Sequence, residues 1–190
     1  MADSAHLGAI LEDLLLAADP LAARPQATVD LTGLCQDTVT AAAPAAQERG
    51  IALHGPTTTD TPVEVIGSPV ALQRALTALV DNALRHARTQ VSVAAAREDD
   101  RAVVTVSDDG PGIDPELAPR LFDRFATADP TDGHGRRRYG LGLALVADIA
   151  TAHHGNVIVS PSSATTLRIS LPSAPKKRPK KRPRKLPRKL

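Results

Sequence analysis

Residues 101–113 read Arg-Ala-Val-Val-Thr-Val-Ser-Asp-Asp-Gly-Pro-Gly-Ile. The apolar run predicts a strand, and the turn after it places Asp108 where a strand ends at a cleft, a usual position for ligand recognition. Its carboxylate could accept a hydrogen bond from the exocyclic amine of adenine. Gly110 and Gly112 remove Cβ atoms where the backbone must turn and would let a flat base approach, whereas Asp109 fits turn chemistry. Taken alone, a surface Asp-Gly turn would explain the same residues.

Outward from this stretch, alternating runs predict two hairpins and two shorter strands. The runs are 91–96 with 101–107, 156–160 with 165–171, and the shorter 51–54 and 63–66. Three helices are predicted at 30–48, from 69 to about 87, and at about 141–153. Pro44 is expected to end or kink the first helix, and Ser68-Pro69 supplies an N-cap and first-turn proline for the second.

This order of elements predicts the fold class. Helices combined with antiparallel hairpins favour an α/β (α+β) two-layer sandwich over a doubly wound sheet. We expect a mixed, mainly antiparallel sheet with helices on one face.

The helix from residue 69 has an apolar stripe and a second, polar face. Helical spacing places Ala78, Asn82, Arg85 and His86 on that second face. An amide oxygen such as that of Asn82 is a suitable ligand for Mg²⁺, and the Arg85 guanidinium can neutralise phosphate charge. A solvated polar face is the alternative for an isolated asparagine, but the neighbouring motifs favour a site.

The only two phenylalanines of the chain, Phe122 and Phe125, lie three residues apart. They could anchor the loop 126–139, whose glycines and prolines argue against a long regular element and whose length is typical of a lid. Filling the core would account for the two rings equally well. Arg136 to Arg138 could close on phosphates or simply be solvated.

Gly140-Leu141-Gly142-Leu143 precedes the last predicted helix. The free N–H groups at a helix N-terminus form a ready phosphate site. A glycine pair before a helix is not specific by itself, and its position after the candidate lid is what gives it weight.

The composition limits the classes that the chain can belong to. Its 190 residues suit one domain with appendages, and the single cysteine, Cys35, excludes an internal disulfide and a Cys-based zinc site. No apolar stretch is long enough to span a bilayer, and residues 1–20 do not resemble a signal peptide. We therefore expect a cytoplasmic chain.

Two segments flank the predicted domain. Residues 4–18 have an apolar helical stripe that should seek a partner helix, in a homodimer or a heterodimer. Residues 175–190 carry ten of the 23 lysines and arginines and no acid, against a net negative charge for the rest. Such a tail is expected to be extended and disordered. It could contact nucleic acid nonspecifically, contact an anionic membrane, or serve only solubility.

Four motifs follow one another along the chain: the helix with Asn82, the turn from Asp108 to Ile113, the pair Phe122 and Phe125, and Gly140-Leu141-Gly142-Leu143. In this order they resemble the ATP-binding catalytic domain of sensor histidine kinases, in the GHKL or Bergerat-fold family. The likeness covers about residues 30–172. It implies Mg²⁺ on Asn82, phosphate near Arg85, adenine on Asp108, a base pocket at Gly110 and Gly112, and a phosphate turn at Gly140 and Gly142. The full set of implied ATP contacts is Asn82, Arg85, His86, Asp108, Gly110, Gly112, Ile113, Phe122, Gly140, Leu141, Gly142 and Leu143. His154-Gly155 resembles the family's His-Gly segment, with a structural role.

The resemblance also implies a domain organisation. Residues 1–20 would be the remnant of the second helix of a dimerisation hairpin, 21–174 the ATP-binding domain, and 175–190 the basic tail. A histidine followed by an acid and a proline, the family's phosphoacceptor pattern, is absent from the sequence. The family's polar residue one turn before the metal ligand is Ala78 here, and Arg138 stands where the first glycine of the phosphate turn is usual.

The implied function is that of a histidine protein kinase in a two-component phosphorelay, using ATP and Mg²⁺. The γ-phosphoryl group would pass to a histidine supplied by another chain or a missing upstream segment, and a response regulator would be the further partner. Two alternatives stay open. One is an ATP-binding regulatory module without productive transfer, and the other is a serine kinase of the anti-sigma-factor type.

Overall fold

A five-stranded sheet is the centre of the fold, with the strand order β2-β4-β5-β7-β6. The computed structural model describes residues 27–57, 62–114, 116–126, 141–160 and 165–175. The strands are β1 (Ala27–Asp30), β2 (Ala52–His54), β3 (Glu64–Gly67), β4 (Gln90–Glu98), β5 (Arg101–Asp108), β6 (Asn156–Ser160) and β7 (Thr165–Pro172). Several predictions lie outside these residues: the helix at 4–18, the lid beyond residue 126, Gly140 and the basic tail.

The sheet has one apolar face. The side chains of Val93, Val106 and Leu167, from three neighbouring strands, are all buried, and these residues pair with one another across the sheet. Along β7, buried side chains alternate with partly exposed ones, which is typical of an antiparallel sheet with one covered face. Three helices cover it: α1 (Leu31–Glu48), α2 (Pro69–His86) and α3 (Gly142–Ala152). The predicted two-layer α+β sandwich and both predicted hairpins are thereby confirmed.

The first helix continues through its proline. Asp30 caps it, since its side chain accepts a hydrogen bond of 2.9 Å from the Thr32 N–H. Pro44 has no N–H to donate to the preceding turn, yet the helix runs on to Glu48. Ala46, beyond the proline, is only 2% exposed, so packing against the core holds the last turn. The expectation that Pro44 could end the helix is wrong.

Two features of the strands were not predicted. β1 pairs with β3 in a separate two-stranded antiparallel ribbon, and β2 pairs with β4 in parallel. The Ala52 N–H also donates a hydrogen bond of 2.8 Å to the Thr89 carbonyl. β1 is only four residues long, and so short a strand shows too little alternation to be recognised. β2 lies within the predicted run 51–54, and only its parallel pairing with β4 was not predicted.

A buried histidine joins the start of α2 to the end of α3. Ser68 caps α2 as predicted, with its side chain accepting from the Ala71 N–H. The Ser68 N–H in turn donates to His153 Nε2 over 3.0 Å, and His153 Nδ1 lies 2.7 Å from the Ile149 carbonyl. Because Nε2 accepts the bond from Ser68, Nδ1 is the ring nitrogen that can donate to the Ile149 carbonyl. His153 therefore has a structural role, in addition to the predicted His154-Gly155 segment.

Gly155 is required by a close approach between backbones. A Cβ atom at this position would lie 2.3 Å from the Ser170 carbonyl oxygen and 2.4 Å from Leu171 Cδ2. His154 before it has a φ of +58°, so the chain reverses tightly between α3 and β6. The predicted structural role of this segment agrees with that packing.

Within the described ranges, none of the helices combines the length and apolarity that crossing a bilayer requires.

We predict that Gly155→Ala destabilises the protein by about 2–3 kcal/mol, because the added methyl group meets a main-chain carbonyl that cannot move away. Gly55→Ala is the control. Its added Cβ would meet the carboxamide of the exposed Gln36 side chain, which can rotate, and its free energy of unfolding should stay within about 1 kcal/mol of wild type. Urea unfolding measures both, and equal losses would contradict the packing argument.

Candidate functional site

Asp108 is a buried carboxylate at the end of the central strand β5. It is 4% exposed, and its Oδ1 accepts a hydrogen bond of 2.9 Å from the Gly110 N–H. Burial raises the pKa of Asp108 above its usual value, while the Gly110 N–H and the Thr165 hydroxyl partly offset that effect. A buried carboxyl group with a perturbed pKa at the end of a strand is a candidate for binding a ligand.

Gly110 brings this strand end against the end of helix α2. A Cβ atom on Gly110 would lie 2.4 Å from the main-chain oxygen of His86 and 2.6 Å from Asp108 Oδ1. The sequence suggested that this glycine makes room for a flat base. The structure gives a different reason, because the space is taken by the backbone of α2. Gly112 has a φ of +85°, a backbone conformation that favours glycine.

Asp109 fastens the loop between α2 and β4. Its Oδ1 accepts from the backbone N–H groups of Arg88, Thr89 and Gln90 over 2.8, 3.0 and 3.2 Å. The Thr89 hydroxyl donates to Oδ2. These bonds, led by that of the Thr89 hydroxyl, hold the pKa of Asp109 far below its usual value. The predicted turn chemistry is present, but it joins residues about twenty positions apart in the chain.

The polar face of α2 has the predicted arrangement. Arg85 Nη1 donates to Asn82 Oδ1 over 3.5 Å, so the two side chains meet. The bond is long, and an amide oxygen has a second lone pair that can bind another partner. Asn82 is half-buried, whereas Arg85 and His86 are exposed. The part of His86 that contacts Gly110 is its carbonyl group.

The aromatic segment divides between core and surface. Phe122 packs against the core, as does Ile113, whereas Phe125 is 68% exposed and has a φ of +68°. Arg124, which lies between the two phenylalanines in the sequence, forms an ion pair of 3.0 Å with Asp148 on α3. Core packing therefore explains Phe122, and the segment is tied to the helix that follows the candidate lid.

The start of α3 lies beside the polar face of α2. Leu141 is its N-cap position, and no described side chain caps it. The first-turn N–H groups of Gly142 and Leu143 have no partner within the helix. A Cβ atom built on Gly142 would lie 4.0 Å from the Ala78 Cβ, one turn before Asn82. The free helix end and the Asn82–Arg85 pair therefore belong to neighbouring parts of the surface.

The donor set limits which metal could bind here. Among the described residues, no group of three or more His, Cys, Asp or Glu side chains could hold an ion. Asn82 offers a single hard oxygen ligand. Such a site suits Mg²⁺, which keeps several waters and takes other ligands from substrate phosphates, and it does not suit a structural zinc.

Thr165 is a site residue that the sequence argument missed. It pairs with Asp108 across β5 and β7, and its hydroxyl hydrogen-bonds to that carboxylate. The signal lies in the alternation of β7. The buried positions are Thr165, Leu167, Ile169 and Leu171, so one polar residue occupies the first place of an otherwise apolar row.

Residues 67–175 match the family model described as "Histidine kinase-, DNA gyrase B-, and HSP90-like ATPase". The sensor histidine kinase component HK1 of Mycobacterium tuberculosis is 41% identical over 107 residues, covering 55% of this chain and 62% of that protein. Sensor histidine kinase TrcS of the same species is 37% identical over 152 residues, covering 76% and 29%. CusS of Escherichia coli is 38% identical over 131 residues, covering 67% and 27%. The chain thus spans less than two thirds of the length of these relatives.

Solved structures agree with the sequence matches. Full-length ShkA in complex with AMPPNP superposes with a TM-score of 0.73 at 26% identity, covering 89% of this chain and 36% of that one. The mycobacterial sensor histidine kinase MprB has a TM-score of 0.64 at 28% identity, covering 78% and 98%. The catalytic domain of the histidine kinase ThkA, at 20% identity and a TM-score of 0.68, shows the same fold.

We predict opposite effects on stability from two neighbouring substitutions. The raised pKa of Asp108 means that its charge opposes folding above its ordinary pKa of about 4, so Asp108→Asn should unfold at equal or higher urea concentration at neutral pH. The lowered pKa of Asp109 means that its charge stabilises the fold above that pH, so Asp109→Asn should unfold earlier.

Urea unfolding from about pH 7 to about pH 2 tests both effects. The Asp108 difference should shrink as the pH falls towards about 4, because the raised pKa means that the folded state takes up a proton first and loses the unfavourable charge. The Asp109 difference should persist down to about pH 4 and shrink only below it, because the unfolded state is protonated there before the folded state, whose hydrogen bonds hold the pKa of Asp109 low. Changes of the same sign in the two variants would contradict the electrostatic assignment.

Proposed function

The chain belongs to the histidine kinase-, DNA gyrase B- and HSP90-like ATPase family, and on that premise we propose that it is the ATP-binding catalytic domain of a sensor histidine kinase. It transfers the γ-phosphoryl group of ATP to a histidine that another chain or another part of the protein supplies. The names of its relatives support this assignment. The observation that carries it is the buried Asp108 carboxylate, held at the end of β5 against the helix that bears Asn82 and Arg85.

The base of the nucleotide binds at the Asp108 end. The ionised carboxylate accepts a hydrogen bond from the exocyclic amine of adenine, and the Thr165 hydroxyl orients that carboxylate. A guanine offers an oxygen at the same place and is repelled by the negative charge. The turn at Gly110 and Gly112, together with Ile113 and Phe122, forms the wall beside the base. Charge on Asp108 is costly without a ligand, which is typical of a group retained for binding.

The phosphates bind at the α2 and α3 end. Asn82 holds Mg²⁺ through its amide oxygen, and Arg85 and His86 lie where they can meet phosphate oxygens. Leu141, Gly142 and Leu143 offer backbone N–H groups at the start of α3. When bound, Mg²⁺ neutralises the charge that builds up on the phosphate oxygens.

Phosphoryl transfer to a neutral imidazole makes few demands on this chain. Catalysis of this kind consists mainly of positioning and charge neutralisation, so no general base is required here. The partners are a protein or segment carrying the phosphoacceptor histidine and, after it, a response regulator. The predicted helix at 4–18 would supply the dimer contact.

A binding module that does not transfer phosphate is the second candidate. Ala78 favours it, because the place one helical turn before Asn82 holds a methyl group packed towards Gly142. No polar side chain at that place can position a water molecule or a metal ligand. Such a module would bind ATP with Mg²⁺ and label no protein.

We predict that Asn82→Ala lowers the affinity for ATP at least tenfold in the presence of Mg²⁺ and much less in its absence, because the variant lacks the metal-holding oxygen. Asp108→Ala should lose the preference for adenine over guanine nucleotides. Asn156→Ala, on the exposed edge strand β6, is the control and should bind as wild type. Titration calorimetry measures all three, and wild-type binding by both site variants would refute the assignment.

The reaction itself is tested by transfer of label from γ-labelled ATP in an extract of the source cell. With wild type and Asn156→Ala we expect an acid-labile, base-stable label on a second protein, and with Asn82→Ala none. ATP binding without any labelled protein would favour the regulatory module. An acid-stable label would instead indicate a serine kinase of the anti-sigma-factor type.

A further inference from the structure

Three consecutive residues at the end of β5 join this strand to helix α2. Asp108 carries the buried carboxylate, and Gly110 lies against the His86 carbonyl. Asp109, between them, accepts hydrogen bonds from three successive N–H groups at 88–90, and its own N–H donates to the Gln90 carbonyl over 3.3 Å. The Thr89 hydroxyl adds a further donor.

The residues that Asp109 holds follow directly from the helix that bears Asn82. Helix α2 ends at His86, and the Ala87 N–H still bonds back to the Ala83 carbonyl. Arg88 to Gln90 then lead into β4. The Asp109 carboxylate therefore fixes the C-terminal end of α2, which carries Asn82 and Arg85, relative to the end of β5, where Asp108 lies.

We infer that Asp109 is a positioning residue for nucleotide binding, an inference that rests on the proposed function. It sets the separation between Asp108, which binds the base, and the Asn82–Arg85 pair, which meets metal and phosphate. A ligand that touches both places needs that separation to be correct before it binds. A ligand that touches only Asp108 does not need it. Asp109 itself contacts no part of the nucleotide.

A carboxylate that only closed a local turn would bond to its own neighbours. Asp114 does so, since its Oδ1 accepts from the Glu116 N–H, two residues on, over 2.8 Å. The acceptor oxygens of Asp109 instead reach donors 19 to 21 residues away. They stay charged throughout the neutral range because the same bonds lower the pKa of Asp109, and bonds to a charged acceptor are stronger than neutral ones.

The test compares a ligand that spans the site with one that does not. Affinities for ATP with Mg²⁺ and for adenosine are measured by NMR titration at a temperature at which circular dichroism shows every variant folded. For Asp109→Asn we expect about a tenfold loss for ATP with Mg²⁺, because the competent arrangement becomes a minor one, and no more than about a twofold change for adenosine.

Matched variants complete the series. Thr89→Val removes one donor and keeps the backbone bonds, so its loss should fall between wild type and Asp109→Asn. Thr89→Ser, which keeps the hydroxyl, and Asp114→Asn, which removes only a local turn bond, should bind both ligands as wild type does.

Equal losses for ATP and adenosine in Asp109→Asn would overturn the inference and leave Asp109 a purely structural residue. Unchanged affinity for both ligands would overturn it as well. Failure of wild type to bind ATP with Mg²⁺ is a different result, because it removes the proposed function and this inference with it.

Discussion

The contact between Gly110 and the main-chain carbonyl of His86 is the constraint on which the site depends. It brings the end of a central strand within backbone distance of the end of a helix, where any side chain larger than hydrogen would separate them. Asp109 reinforces this junction with bonds to the backbone at 88–90. The carboxylate of Asp108 and the polar face of α2 are consequently held by the same few backbone atoms, and the arrangement does not rely on long side chains.

Stability and function make opposite demands at this junction. The two carboxylates are adjacent in sequence, yet burial raises the pKa of Asp108 while backbone donors lower that of Asp109. Alternation along the chain sends one into the interior and the other towards a loop. The Asp108 charge therefore lowers the free energy of unfolding, and the Asp109 charge raises it. A binding group that is unfavourable for folding thus lies next to a residue that stabilises the fold.

Much of this was predictable from the sequence because it rests on local patterns. The helix at 69–87, both hairpins and the meeting of Asn82 with Arg85 follow from periodicity and capping residues. Features set by tertiary contacts were not predictable in this way. The strand β1 forms only because β3 pairs with it, the parallel pairing of β2 with β4 is a tertiary contact, and α1 passes Pro44 because Ala46 is buried. Thr165 joins Asp108 through the register of β5 with β7, and the reason for Gly110 lies in a helix more than twenty residues earlier.

The direction of β7 has a consequence for how such a domain can be connected to others. This strand begins opposite Asp108 and runs for eight residues, roughly 23 Å, before the Ala174 N–H bonds to the Glu64 carbonyl on β3. Ala27 also pairs with β3, opposite Gly67. The described chain thus begins and ends at one short ribbon, and β7 carries its C-terminal end a full strand length away from the buried carboxylate. A segment attached after β7 would therefore start at the opposite end of the central sheet from the proposed base site.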